Sequence, residues 1–338
     1  MAFADNQIKE IITLLATPKK IVITTHFSPD GDAMGSSLGL YNYLIQSNHQ
    51  VTVVTPNDYP KFIHWMPGDE NVKNFEKNSK ICENLISSSD VIFCLDYNAL
   101  KRIEKLEPLV KIAAAKKILI DHHQQPELFA DYTFSFPETC STSQLIFEFI
   151  DALGDADKVN KDVATCLYTG IMTDTGSFRF ASVKPLTHYI TAKLLETGIQ
   201  HDLIHGKIMD SNSYERMKLV GHALSQKLVY LSEFQAAYIS LDQKDLDQYS
   251  FQPGDAEGLV NYGLSIAGVK IAAFFSEKKG EVKISFRSKE EIDVNKFARQ
   301  YFNGGGHQHA AGGKTTETLE VTINKFISLL PTLQNLLK

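Results

Sequence analysis

The 338-residue sequence predicts an α/β protein of two domains, a mostly parallel sheet flanked by helices followed by a smaller α/β domain with a mixed sheet. Three observations predict it. In the first half, short β-branched runs alternate with amphipathic stretches, the pattern of parallel strands joined by crossover helices. Beyond about residue 230 the style changes to neighbouring strands around turn signals. The length also suffices for two hydrophobic cores.

Residues 21–25 (Ile-Val-Ile-Thr-Thr) read as the first strand, followed by a helix through Leu38, Leu40, Tyr41, Leu44 and Ile45. Residues 51–55 form the next strand, stopped by Pro56. Then come a strand at 91–95, a helix around Ile103, Leu106 and Val110, and a strand at 118–121. Further helices are expected at 143–153, 163–173 and 185–196, where Pro185 suits a first turn and Gly198 a stop. Polar residues thicken between Gly206 and Arg216, and a helix is expected to continue through Met217, Val220, Leu224 and Leu228. The domains are accordingly placed at 1–205 and 229–338, with a helical linker at 206–228. In the second domain the pattern predicts a strand at 236–241, a helix at 258–266 and a hairpin of 269–275 with 282–286 around Lys278-Lys279-Gly280. A helix at 294–302 leads into a glycine-rich segment, and an amphipathic helix carrying Leu319, Val321, Ile323, Phe326, Ile327 and Leu330 closes the chain.

With 43% hydrophobic and 22% charged residues, a disordered or fibrous chain is excluded. No apolar run is long enough to span a bilayer, and the N-terminus lacks the basic-then-apolar pattern of a secretory signal, so a cytoplasmic protein without membrane association is expected. The four cysteines fall singly and are expected as reduced thiols in or near cores. A net charge of -6 offers no electrostatic funnel for long duplex nucleic acid, but leaves short single strands and small nucleotides open as partners.

The chemistry-bearing residues cluster at predicted strand ends. His26-Phe-Ser-Pro-Asp30-Gly-Asp32 follows the first strand; Pro29, Gly31 and Gly35 predict a tight turn that presents His26, Asp30 and Asp32 at the carboxyl end of the sheet, where ligands of open α/β folds gather. Either aspartate could equally cap the following helix. Asp96 closes the run 91–95, Asp121 the run 117–120, and Asp174 ends a helix. If the strands are parallel, Asp30, Asp32, Asp96, His26 and His122 converge on one rim, with Asp174 reaching in from above. Carboxylates that close repel by several kcal/mol at an effective dielectric constant of ~20, so positive charge must neutralise them. A carboxylate and imidazole set without cysteine suits Mn²⁺ or Mg²⁺, with Mn²⁺ the better match to the imidazoles. Two divalent cations balance four carboxylates. Asp121 is placed to orient a ligating histidine from behind. His122 and His123, adjacent along an extended backbone, point to opposite sides and so serve different purposes.

In this order, His26-x-x-x-Asp30-x-Asp32, the lone Asp96, Asp121-His122-His123 and Asp174 resemble the motifs of the DHH phosphoesterase superfamily. Asn303-Gly304-Gly305-Gly306-His307-Gln308-His309-Ala310-Ala311-Gly312 resembles the glycine-rich motif of the DHH-associated domain. The likeness spans nearly the whole chain and is similar to the nanoRNase and pAp phosphatase group. It implies an active-site cleft between the two domains. It also implies one Mn²⁺ held by His26, Asp30 and Asp96 and a second held by Asp32, Asp96, His122 and Asp174, Asp96 being shared. His123 would then touch the scissile phosphate, as a catalytic residue beside Asp96. Arg287, in Ser285-Phe-Arg-Ser, would grip a terminal phosphate through its planar fork. Gly304, Gly305 and Gly306 would let backbone approach phosphate oxygens, and His307 would add a donor.

The implied reaction is hydrolysis of short oligoribonucleotides to mononucleotides, and of adenosine 3',5'-bisphosphate (pAp) to AMP and phosphate, by water activated between two Mn²⁺ ions. Phosphodiesterase action on linear or cyclic di-adenylates is the alternative in the same chemistry. A non-catalytic nucleotide-binding regulator is the alternative from another class, against which the full ligand set speaks. A homodimer is compatible with the sequence. Trp65 reads as packing, with stacking on a base as its alternative, the Ser141-Thr142-Ser143 run as a helix cap, with phosphate contact as its alternative, the His201/His205 pair as lacking a third ligand, and Arg179 as divided between cleft and solvent.

Overall fold

The computed structural model describes residue 3 and residues 5–334, and the chain divides into two compact units, Met1–Ser211 and Asn212–Lys338. The first unit runs α1 (Asp5–Leu15), β1 (Lys20–Thr24), α2 (Gly31–Leu44), β2 (Gln50–Thr55), β3 (Lys73–Asn74), α3 (Phe75–Ser87), β4 (Val91–Leu95), α4 (Glu107–Ile112), β5 (Lys116–Asp121), β6 (Tyr132–Ser135), α5 (Thr142–Ala152), α6 (Lys161–Asp174), α7 (Pro185–Glu196) and α8 (His201–Met209). Its six strands lie in the order β3-β2-β1-β4-β5-β6, and every neighbouring pair is parallel.

Burial on both faces explains the near-continuous apolar strands. On β4, Val91, Phe93 and Leu95 enter one core with Ile21, Ile23, Met34, Leu38 and the helices α5 and α6. Ile92 and Cys94 enter the opposite core with Val22, Val54 and Ile86. This is the two-sided cover that parallel sheets require. Strand order reverses at β1, between β2 and β4, which opens a crevice at the carboxyl ends of β1 and β4. All four cysteines are buried, unpaired and in this unit.

Gly31 and Gly35 do not shape the turn expected of them. Both lie within α2 and, with Gly39, repeat every fourth residue, so they share one face of the helix. A Cβ on Gly35 would stand 2.7 Å from the carbonyl oxygen of Cys166 and 2.8 Å from the nitrogen of Gly170, both on α6. The glycines therefore let α2 and α6 approach backbone to backbone. The turn itself is made by Ser28, at φ +56°, whose N–H donates to Asn57 Oδ1 at 2.6 Å.

The second unit runs α9 (Tyr214–His222), β7 (Leu228–Leu231), β8 (Ala236–Leu241), α10 (Gln243–Gln248), α11 (Leu259–Ser265), β9 (Ile271–Lys278), β10 (Glu281–Ser288), α12 (Val294–Tyr301), β11 (Gly305–His307), β12 (Ala310–Thr315) and α13 (Leu319–Gln334). Its sheet has the order β11-β12-β10-β9-β8-β7 and is mixed: β8 and β9 are parallel, the other pairs antiparallel. The helix expected to run through Leu228 ends sooner. A π-helical turn at Ala223–Lys227 closes it, and Leu228 instead begins β7, pairing with Ile239. Likewise, the helix around Ile103 and Val110 is a 3₁₀ segment, Leu100–Leu106, broken at Glu104 (φ +45°) before α4 begins. No helix among the described residues is long and apolar enough to cross a membrane.

Candidate metal centre

Each loop leaving the carboxyl end of β1, β4 and β5 contributes to one rim. His26 follows β1, and Asp30 is the N-cap of α2, its Oδ1 accepting from the N–H groups of Asp32 and Ala33 at 3.0 Å each. The cap uses Oδ1 alone and leaves Oδ2 for another partner, 3.8 Å from His26 Nε2. Asp32 lies in the first turn of α2. Asp96 immediately follows β4 with φ +63°, a left-handed conformation that aspartate tolerates better than most residues. Asp121 ends β5, and His122 and His123 come next, their rings 5.0 Å apart and at 72° to each other. Asp174 ends α6.

These side chains meet. His26 Nε2 is 3.5 Å from Asp96 Oδ2. His122 Nε2 is 3.4 Å from both Asp96 Oδ1 and Asp174 Oδ2, and 3.8 Å from Asp32 Oδ2. Donor sets here include His26/Asp30/Asp96 and Asp32/His122/Asp174, and Asp96 also groups with Asp121 and His123. Separations of this size exceed a good hydrogen bond, yet they suit donors that share a cation at roughly 2.0 to 2.2 Å from each. The chemistry of the set, carboxylate oxygens with imidazole nitrogens and no thiolate, fits a hard or borderline divalent ion.

Electrostatics agrees with that fit. Burial works against a charged His26, but the carboxylates of Asp30 and Asp96 overcome it and raise its pKa to about 10. Burial also opposes charge on His122, and Asp96, Asp174 and Asp32 drive its pKa well above the ordinary value. Asp32 is pushed well above the carboxylate range by burial and by the charges of Asp96 and Asp174. Asp96, despite burial, is held well below that range by His122 and His26. Without a cation, protons are favoured on both imidazoles and on Asp32, and relieve the crowding of negative charge.

His123 differs. Burial lowers its pKa, so the ring is neutral near pH 7. Its Nδ1 lies 2.7 Å from Asp121 Oδ1. A carboxylate can only accept, so Nδ1 is assigned the hydrogen and Nε2 the lone pair. Asp121 thus orients His123 rather than a ligand histidine of either donor set. The corresponding partner of His122 Nδ1 is the Thr139 carbonyl at 3.2 Å, and that of His26 Nδ1 is the Phe27 carbonyl at 2.9 Å.

In the second unit, Arg287 on β10 pairs with Ala310 on β12, and Ala310 pairs with His307 on β11. Residues in register across strands share a face, so Arg287 and His307 flank the small Ala310. Gly306 has φ +151°, and its N–H donates to Asn295 Oδ1 at 3.0 Å. A Cβ on Gly304 would collide with the Gly312 carbonyl, and one on Gly306 with that of Ala310. Close packing against β12 therefore already demands two of the three glycines, whereas a Cβ on Gly305 would meet only ordinary contacts. Arg179 is exposed, and its Nε donates to the Gly176 carbonyl at 2.9 Å. Trp65 packs against the core and donates to the Phe62 carbonyl.

Residues 20–171 match the model of the DHH family, N-terminal domain, and residues 233–337 match that of the DHHA1 domain. The chain is 30% identical, over 307 residues covering 88% of it and 85% of the relative, to the bifunctional oligoribonuclease and PAP phosphatase NrnA of Thermus thermophilus. The chain belongs to the DHH family of phosphoesterases. It is also 26% identical to the protein of the same name from Bacillus subtilis, covering 90% of this chain and 91% of that one. The crystal structure of an exopolyphosphatase-related protein from Bacteroides fragilis superposes with a TM-score of 0.94 at 39% identity, over 99% of this chain and 98% of that one.

Within this DHH chain, two residues of the Ser141-Thr142-Ser143 run do more than cap α5. The N–H groups of Thr142 and Ser143, at the start of α5, donate to Asp32 Oδ2 at 2.6 Å and Oδ1 at 2.9 Å. The Thr142 hydroxyl donates to Asp96 Oδ1 at 2.9 Å. Ser141 is the cap proper, accepting from Gln144 N–H. The available signal was a Ser/Thr-rich helix start, because a helix N-terminus is a ready anion site.

Proposed function

We propose that this DHH phosphoesterase hydrolyses short oligoribonucleotides to mononucleotides and pAp to AMP and phosphate, with two divalent cations, Mn²⁺ foremost and Mg²⁺ as a substitute. The observation that carries the reading is Asp96, whose two oxygens face different donor sets: Oδ2 faces His26, and Oδ1 faces His122. The activities for which the Thermus and Bacillus relatives are named support the substrates. His26, Asp30 and Asp96 would hold one ion, and Asp32, Asp96, His122 and Asp174 the other. When bound, such ions supply the positive charge that polarises a phosphoryl oxygen and offsets the charge developing in displacement at phosphorus.

The remaining steps belong to side chains. His123, neutral and locked by Asp121, presents Nε2 to the reacting phosphate, where it holds a proton in transit to or from an oxygen. Arg287 forms a bidentate grip on a terminal phosphate, His307 adds a donor beside it, and Gly304, Gly305 and Gly306 leave room for the phosphate to approach, the N–H groups of Gly304 and Gly306 being given to the Ala298 carbonyl and Asn295 Oδ1. One cationic fork suits a substrate with few phosphates rather than a long strand.

The test is a substrate panel with purified, metal-stripped protein to which Mn²⁺ is restored. Two- to five-nucleotide RNAs and pAp should be consumed, and only with the ion present. Consumption of linear or cyclic di-adenylates or of polyphosphate alone would replace this reading.

A further inference from the structure

We infer that Thr142 is a positioning residue that sets the two donor groups against one another, its backbone N–H fixing Asp32 and its hydroxyl fixing Asp96. The inference rests on the reading that both groups hold divalent cations. Thr142 is fully buried at the start of the eleven-residue α5. Its N–H lies 2.6 Å from Asp32 Oδ2 and its Oγ1 lies 2.9 Å from Asp96 Oδ1, so one residue touches a carboxylate of each group.

The geometry needs such a brace. Asp96 sits on a left-handed backbone just beyond the end of β4; its N–H still donates to the Ile120 carbonyl at 3.2 Å, which holds the backbone and leaves the direction of the carboxylate to its own contacts. A hydroxyl restrains the carboxylate without adding charge, so it does not compete with a cation for the site. The β-branched side chain restricts rotation about χ1, which narrows the directions open to that hydroxyl. On α6, the absence of a Cβ at Gly170 completes the fit: a methyl there would stand 2.8 Å from Asp32 Oδ1 and collide with Ser143 Oγ, driving the start of α5 away from Asp32.

The full-length protein with Thr142→Val keeps the shape and the backbone N–H but loses the hydroxyl; Thr142→Ser keeps the hydroxyl. Mn²⁺ is titrated calorimetrically into the metal-stripped wild-type and both variants, with thermal melts of the metal-free forms alongside. The expected result is Mn²⁺ affinity lowered about 10- to 100-fold in Thr142→Val, near-wild-type affinity in Thr142→Ser, and a fall in kcat with KM for a short oligonucleotide little changed. Wild-type affinity in folded Thr142→Val overturns the inference, as does a loss confined to the melting temperature. If the wild-type takes up no divalent cation, the reading of the site falls and the inference with it. If Thr142→Val does not fold, the crystal structure of Mn²⁺-loaded wild-type protein decides. A Thr142 hydroxyl still bonded to Asp96 supports the inference, and one out of hydrogen-bond reach overturns it.

Discussion

The two units build a six-stranded sheet by opposite means, and their sites differ accordingly. In the first, every strand pair is parallel, so each connection must cross a face and return, and loops far apart in sequence gather at one rim. Residues 26 to 174 thereby bring four carboxylates and two imidazoles together, mostly buried, where no member is at ease without its neighbours' charge. In the second unit most pairs are antiparallel, and register alone places Arg287 and His307 on either side of Ala310. Its groups are half-buried and sparse in charge. A parallel sheet thus yields a charge-dense centre that calls for counter-ions, whereas the mixed sheet yields a shelf that can exist without them.

The sharpest way to break this contrast is at Asp96. Asp96→Asn preserves size and tolerates the left-handed backbone, but removes the shared charge; hydrolysis should fall by on the order of 10³-fold or more, with Mn²⁺ uptake impaired by calorimetry. Retained turnover would show that the rim is no metal centre. Arg287→Ala probes the other side. Loss of a charge-assisted bond of about 1.5–3 kcal/mol should raise KM roughly 10- to 100-fold, while Mn²⁺ affinity stays at the wild-type value. A loss of metal affinity in that variant would end the separation of duties.

Gly304→Ala should act on stability. The added methyl meets the Gly312 carbonyl, and overpacking against backbone is expected to destabilise the protein by about 1–3 kcal/mol in denaturant titrations, again without changing metal affinity.

The smallest effect is in pH. His26, raised from 6.5 to about 10 in the folded metal-free protein, contributes stability that is complete below pH 6.5 and is lost as pH rises through about 10. A cation must displace that proton, so its own stabilisation should grow over the same interval. The rise in melting temperature on adding Mn²⁺ should therefore be larger at pH 8 than at pH 6.5; a flat difference would count against His26 as a ligand.

Much of this was legible from residue types. β4 and β5 are apolar on both faces, so their existence and their acidic ends could be read directly, and the rim followed from parallel order. What escaped has physical reasons. β3 is two residues long, and β11 is largely glycine, so neither carries a hydrophobic period. Gly31 and Gly35 look like turn formers, and only the proximity of α6 shows them to be a packing surface. The braces on Asp32 and Asp96 use two backbone N–H groups, which any residue possesses, and one hydroxyl that reads as part of a helix cap.

The distribution of sulfur has a practical use. Cys82, Cys94, Cys140 and Cys166 all lie inside the first unit, with thiol pKa values raised by burial, and the second unit has none. Alkylation by a soluble reagent therefore requires the first unit to open, and its rate is a native clock for the breathing of that unit alone. Comparing that clock with and without Mn²⁺ reads out whether the ion fastens the parallel sheet, with no label or engineered residue.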